Sequence, residues 1–253
     1  MVGESMKKHS VLKKLLMVVG LAVWAMAGFY AGQALVVAIF VLLAESGIDF
    51  SGMNQALVNS VVAAACYVVA LAIVIGGPWL MLRKRTSKSE LGLQRLPSWL
   101  ELGITPVAFV AYFIVSAVVM YFVSRFVPGF EIDQAQEIGF SNLAYRYEYI
   151  LAFLTLVVIA PIAEEMIFRG YLYGKLKKRI PWWGAAVLTS ILFGLAHGQW
   201  NVAVDTFVLG MFLSTLREFT GSLWPAILLH MAKNGIAYYF LFVNPDIINT
   251  LGG

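Results

Sequence analysis

Charge is scarce in this 253-residue chain: Asp, Glu, Lys and Arg make up 13% of it, against 60% hydrophobic residues. With 14% aromatic residues and a mean hydropathy of +0.81, so little charge excludes a soluble globular domain and leaves an integral membrane protein. Cysteine is scarcer still. The single Cys66 lies in a hydrophobic run, which excludes an internal disulfide and makes it a packing residue. Histidine occurs only three times, and neither H-E-x-x-H nor G-x-S-x-G is present. Internal repeats and low-complexity tracts are also missing. Aromatic residues are plentiful: seven Trp and eleven Tyr suit a chain with two membrane-water interfaces to line.

A spanning helix needs about 20 mostly apolar residues. Seven stretches are candidates: Leu15–Ala44, Asn54–Leu82, Leu102–Ser124, Tyr149–Tyr173, Pro181–Gly198, Val202–Leu216 and Ser222–Val243. The sixth is short and holds Asp205, so it is expected to be tilted, interrupted or only partly inserted. The first is too long for a cleaved signal peptide and lacks a processing site, so it counts as a span. Gly28 and Gly32 make a GxxxG spacing, a close-packing face for another helix. Gly76, Gly77 and Pro78 are expected to kink or end the second span. The loop from Arg125 to Glu148, with PGFEIDQAQEIGF, reads as an interfacial or re-entrant segment. The predicted fold class is all-α, a polytopic bundle of about seven spans.

Sidedness follows from the loops. Fourteen of the 18 basic residues fall on one side: Lys7, Lys8, Lys13 and Lys14 before the first span, and Arg83, Lys84, Arg85, Lys88 and Arg95 after the second. The rest of this set are Lys175, Lys177, Lys178 and Arg179 after the fourth span and Arg217 after the sixth. The opposite loops hold Glu45, Asp49, Glu131, Asp133, Glu137 and Glu148 against Arg125 and Arg146. The positive-inside rule then gives a cytoplasmic N-terminus and an external C-terminus. The net charge of +4 is therefore topological, which argues against nucleic acid as a partner. The expected partner at this point is the lipid bilayer. A prokaryotic plasma membrane is the expected location.

Removing the loops leaves Glu164, Glu165, Arg169, His197, Asp205, His230 and Lys233 at membrane depth. Charged types at a helix centre cost about 2.5–3.5 kcal/mol each on insertion scales, so such a cluster must be paired, solvated or functional. Glu165 and Arg169 are four apart and share a helix face as ion-pair partners. Glu164, about 100° round the helix, is left without a local partner. Burial without a partner makes a carboxylate a readier proton acceptor, suited to general-base work near neutral pH. Pro161 can bend this helix and open room for water beside Glu164. His230 and Asn234, one turn apart, present two donors that could hold an oxyanion. Glu164 with His197 could polarise a water. Asp205 and Lys233 are a further possible pair, with Asp205 alternatively shaping the site. Two other readings stay open: polar residues holding a non-catalytic bundle together, and a proton-coupled transporter.

In order, Glu164-Glu165-x-x-x-Arg169, Phe193-x-x-x-His197 and His230-x-x-x-Asn234 resemble the three motifs of the CPBP intramembrane proteases. That family contains the type II CAAX prenyl proteases and bacterial bacteriocin-processing or immunity (Abi) proteins. The resemblance covers roughly Tyr149–Val243 and divides the chain into a variable three-span region, 1–140, and a four-span core, 141–253. It implies a membrane endopeptidase that cuts a membrane-associated or prenylated substrate. Carried over residue by residue, Glu164 and His197 would activate water, Glu165 and Arg169 would support the site, and His230 with Asn234 would stabilise the oxyanion. An immunity or regulatory protein of the same fold is the non-catalytic alternative. If a metal such as zinc is used, Glu164, His197 and His230 are its candidate ligands. The missing H-E-x-x-H argues against a site-2-type protease and leans toward a metal-free mechanism. The missing G-x-S-x-G argues against a rhomboid-like serine protease.

A depth mismatch accompanies these motifs. At 1.5 Å per residue, His230 lies roughly 12 Å into its span and His197 roughly 24 Å into its own. They can meet only if the fifth span starts late, tilts, or unwinds near Gly194 and Gly198.

Overall fold

The computed structural model describes residues 2–132, 134, 139–140 and 143–245, with side chains from Ser10 onward. All regular structure in these residues is helical: α1 Val2–Glu45, α2 Gln55–Leu82, α3 Lys88–Leu91, α4 Trp99–Phe126, α5 Arg146–Leu176, α6 Trp182–Leu195, α7 Trp200–Thr220 and α8 Trp224–Val243. The apolar runs set the helices, and polar caps set where several begin. Asn54 accepts the Leu57 N–H before α2. Ser87 with Glu90, and Ser98 with Glu101, form reciprocal capping boxes before α3 and α4. The residues 133, 135–138 and 141–142 lie outside the described set, so the interfacial reading of the loop between α4 and α5 falls largely outside it too.

Seven apolar stretches become seven long helices plus the short α3, but the span count changes. Five helices are long and apolar enough to cross a membrane: α1 from Ser10, α2, α4, α5 and α8. With 14 residues, α6 is about 21 Å long, short of the roughly 30 Å hydrocarbon core. The 18-residue stretch from Pro181 to Gly198 overstated it, because the part after Leu195 is a turn, closed by Gly198 at φ +73°. The 21 residues of α7 reach far enough but carry Asp205, Arg217 and Glu218. Helices α6 and α7 pack together as a hairpin. The basic loops do meet at one end. Lys178 pairs with Glu90 at 2.9 Å, Arg217 donates to the Glu90 carbonyl, the Leu223 N–H to the Gly92 carbonyl, and Trp224 to the Arg95 carbonyl. The Lys178 ammonium holds the Glu90 carboxyl below its usual range.

The outer faces of α1 and α4 are apolar and exposed, as at Val19, Val37, Val107, Val110 and Phe113. Such faces suit lipid, and this is an integral multi-pass membrane protein. At the centre lies α5, the most enclosed of the five candidate spans. Ile167, Phe168, Leu172, Tyr173 and Leu176 pack there against Phe193, Leu209 and Leu213. Only a helix so surrounded can carry charges without showing them to lipid.

The first two helices touch through the GxxxG face. A Cβ on Gly32 would stand 2.6 Å from the Ala70 backbone, and one on Gly28 would stand 2.7 Å from Val74. Trp24 Nε1 donates to the Val74 carbonyl at 3.0 Å across the same contact. The Gly-Gly-Pro run does not end α2. A wide, π-type turn over Ala72–Gly76 absorbs Pro78, and the helix runs on to Leu82. Gly32→Leu should pry α1 from α2 and lower stability by about 1–3 kcal/mol, read as a drop in unfolding temperature in detergent.

Candidate active site

The cluster is built on an irregular stretch of α5. The Ala160 N–H bonds five residues back, to the Thr155 carbonyl. The next bond of that wide pattern would join residue 161 to the Leu156 carbonyl, but Pro161 has no N–H. Asn234 of α8 fills the gap by donating its amide to Leu156 O at 2.9 Å. The proline thus widens α5 and ties α8 to it just before Glu164.

Glu165 and Arg169 form the expected pair, 3.0 Å apart and both fully buried. The same Glu165 Oε1 lies 3.0 Å from His230 Nδ1, so a proton on that nitrogen is donated to it. Arg169 also lies over the Phe193 ring, 4.2 Å from its centroid. Both histidines set their rings edge-on to Phe193, His197 at 5.0 Å and His230 at 5.7 Å. Phe193 is therefore the hub on which the arginine and both imidazoles rest. Its place in the F-x-x-x-H spacing was visible in the sequence, but this role was not.

Glu164 is buried but not alone. Tyr67, 97 positions earlier on α2, donates its hydroxyl to Glu164 Oε1 at 2.7 Å. Glu164 Oε2 lies 3.8 Å from His230 Nε2, outside direct bonding distance. As the spacing implies, Glu164 has no local partner on its own helix; its partner comes from another one. His197 Nδ1 meets its own Phe193 carbonyl at 2.9 Å. The depth mismatch is met in one of the ways it required. α6 ends at Leu195, and His197 stands in the turn beyond it, with its N–H on the Gly194 carbonyl.

One cavity of about 480 Å³ is lined by Glu164, His197, His230 and Asn234, together with Tyr67 and Lys233. His230 and Asn234 do not aim all their donors at one spot. Each has one nitrogen committed to α5, leaving His230 Nε2 and the second Asn234 amide hydrogen. Lys233 and Asp205 form the pair suggested by the sequence, at 3.6 Å. Asp205 is also held by the hydroxyls of Tyr112 and Ser116 on α4. Among the described residues, no three His, Cys, Asp or Glu side chains converge as metal ligands do. His230 Nδ1 and His197 Nδ1 face protein oxygens, which leaves the Nε2 side of each ring as the one that a metal would use.

Arg169 depends on a glycine. A Cβ on Gly210 of α7 would come within 2.6 Å of Arg169 Nη2 and 2.8 Å of Ser190 Oγ. Gly210→Ala should push the guanidinium off its seat and cost about 1–3 kcal/mol, read by thermal unfolding beside a control alanine on the lipid face of α4.

Residues 146–236, which carry all three motifs, match the family model described as type II CAAX prenyl endopeptidase Rce1-like. The resemblance read from the motifs is thus shown for this C-terminal segment. Three curated relatives are similar to parts of the chain. An uncharacterized 24.3 kDa protein of Escherichia coli is 34% identical over 98 residues, 37% of this chain and 45% of that protein. The membrane-embedded CAAX protease MroQ of Staphylococcus aureus (strain USA300) is 28% identical over 97 residues, 36% of this chain and 39% of MroQ. The putative membrane peptidase YdiL of Bacillus subtilis (strain 168) is 28% identical over 172 residues, 67% of this chain and 65% of YdiL. The chain thus spans between 39% and 65% of the length of these relatives. No solved structure matches.

Proposed function

We propose that the protein is an intramembrane endopeptidase that hydrolyses a peptide bond of a membrane-associated protein or peptide. The observation that carries this reading is the single cavity on which Glu164, His197, His230 and Asn234 converge from α5, α8 and the turn after α6. The match of residues 146–236 to a prenyl endopeptidase family, and the protease names of two relatives, support it.

In this reading Glu164 and His197 hold a water between them. Glu164 takes a proton as the water oxygen adds to the scissile carbonyl carbon. The carbonyl oxygen becomes an oxyanion, met by the free Asn234 amide hydrogen and by the Nε2 side of the His230 ring. The C–N bond then breaks, and the proton held by Glu164 passes to the leaving amine. Glu165 holds His230 through Nδ1, and Arg169 balances the charge of Glu165. A prenylated protein near its C-terminus is the substrate form that the CAAX-type family favours.

The test is mass spectrometry of membrane-associated peptides from cells making the wild-type protein and cells making Glu164→Gln. A set of peptides whose cut ends depend on the wild-type protein supports the reading. Identical peptide sets would overturn it in favour of a structural or regulatory membrane protein.

A further inference from the structure

The segment that matches the family begins at residue 146, yet the cavity has walls from α1 and α2. Phe29 and Gln33 reach it from α1, and Tyr67 from α2. Tyr67 is the one of the three with a recorded bond to the proposed base, its hydroxyl 2.7 Å from Glu164 Oε1.

We propose that Tyr67 is a positioning residue for Glu164, holding one carboxylate oxygen so that the other faces the water and the scissile carbonyl. The proposal rests on the peptidase reading above. A glutamate side chain has three rotatable torsions, and in a cavity of about 480 Å³ it has room to turn. A general base works only with its accepting lone pair within hydrogen-bond reach of the proton. One hydroxyl donor on Oε1 fixes the plane of the carboxylate and leaves Oε2 on the side of His230, 3.8 Å away.

The donor must itself be held still, and the packing of α1 on α2 does this. Ala70, one turn past Tyr67, touches Gly32 with no space for a Cβ between them, and Val74, a further turn on, touches Gly28. The Trp24 bond to the Val74 carbonyl locks the two helices against sliding. α2 in turn packs against the part of α5 that bears Glu164. The two N-terminal helices thus complete a site whose proposed catalytic residues, Glu164, His197, His230 and Asn234, all lie in the family-matched part.

The test compares wild type, Tyr67→Phe and Tyr67→Ala, purified in detergent, on a peptide found by the mass-spectrometric screen. Phe keeps the ring and its packing and removes only the hydroxyl. Expected for Tyr67→Phe is a fall in kcat of roughly 10- to 100-fold, the usual cost of losing a bond to a charged group at an active site, with KM and unfolding temperature unchanged. Tyr67→Ala should fall at least as far. Wild-type kcat in the Phe variant would mean that the ring alone matters and would overturn the proposal. A rise in KM with kcat intact would assign Tyr67 to substrate binding, and a matching fall in unfolding temperature would assign it to the fold; either overturns the proposal too. Failure of the peptidase reading looks different, because wild type would then cleave no faster than Glu164→Gln.

Discussion

Glu164→Gln is expected to reduce peptide hydrolysis by about 10²- to 10⁴-fold, the range over which a positioned general base accelerates proton transfer. The substitution is nearly isosteric. Its amide oxygen still accepts the Tyr67 hydroxyl, so the 2.7 Å contact across α2 and α5 survives. The new amide cannot take a proton from water, and that is the only function removed. Stability should therefore stay within about 1 kcal/mol of wild type, as a neutral group replaces a buried carboxylate with one strong donor. The measurement is a time course of product formation in detergent or proteoliposomes, with unfolding temperature recorded on the same sample. Wild-type turnover by Glu164→Gln would remove Glu164 from the chemistry. A collapse of stability together with turnover would instead make Glu164 a structural residue.

The helices were largely legible in the sequence because lipid demands apolar length, and length is a local property. The second stretch, Asn54–Leu82, coincides with α2, Gln55–Leu82, to within one residue. The fifth was misjudged because hydropathy does not register where a chain turns: Ala196 and Gly198 are as apolar or small as the helix before them, yet α6 stops at Leu195. Local spacing also predicted the Glu165–Arg169 pair, which needs only one turn of one helix. What spacing could not supply was any partner from another helix. Tyr67 stands 97 positions from Glu164 in an apolar stretch, with nothing in its neighbourhood to mark it. The same limit applies to Asn234, whose bond to the Leu156 carbonyl follows from a proline three helices earlier. Phe193 lay within a motif but carries no chemistry of its own, so its part as a seat for Arg169, His197 and His230 emerges only in three dimensions.

The residue next to Glu164 should behave in the opposite way. Glu165→Ala is expected to destabilise the protein by about 3–5 kcal/mol, because it strands a cation in the interior. Arg169 is fully buried, and its recorded hydrogen bond is the one from Nη1 to Glu165 Oε1 at 3.0 Å. Its Nη2 lies beside Gly210, and neither Nε nor Nη2 has a hydrogen-bond partner among the described residues. The Phe193 ring offsets part of that deficit, but a ring face does not replace a carboxylate. Glu165→Ala also frees His230 Nδ1, so the imidazole loses its anchor to α5. The two consequences can be separated. Arg169→Met added to Glu165→Ala removes the stranded charge with an unbranched apolar side chain, and should restore most of the lost stability. It cannot restore the anchor on His230, so hydrolysis should stay low in the stable double variant. Unfolding temperature and turnover measured across wild type, Glu165→Ala and the double variant would thus divide the motif into a part that holds the bundle together and a part that holds the histidine. A single variant as stable as wild type would mean that Arg169 finds water or another carboxylate once Glu165 is gone, and the buried pair would then contribute nothing to the fold.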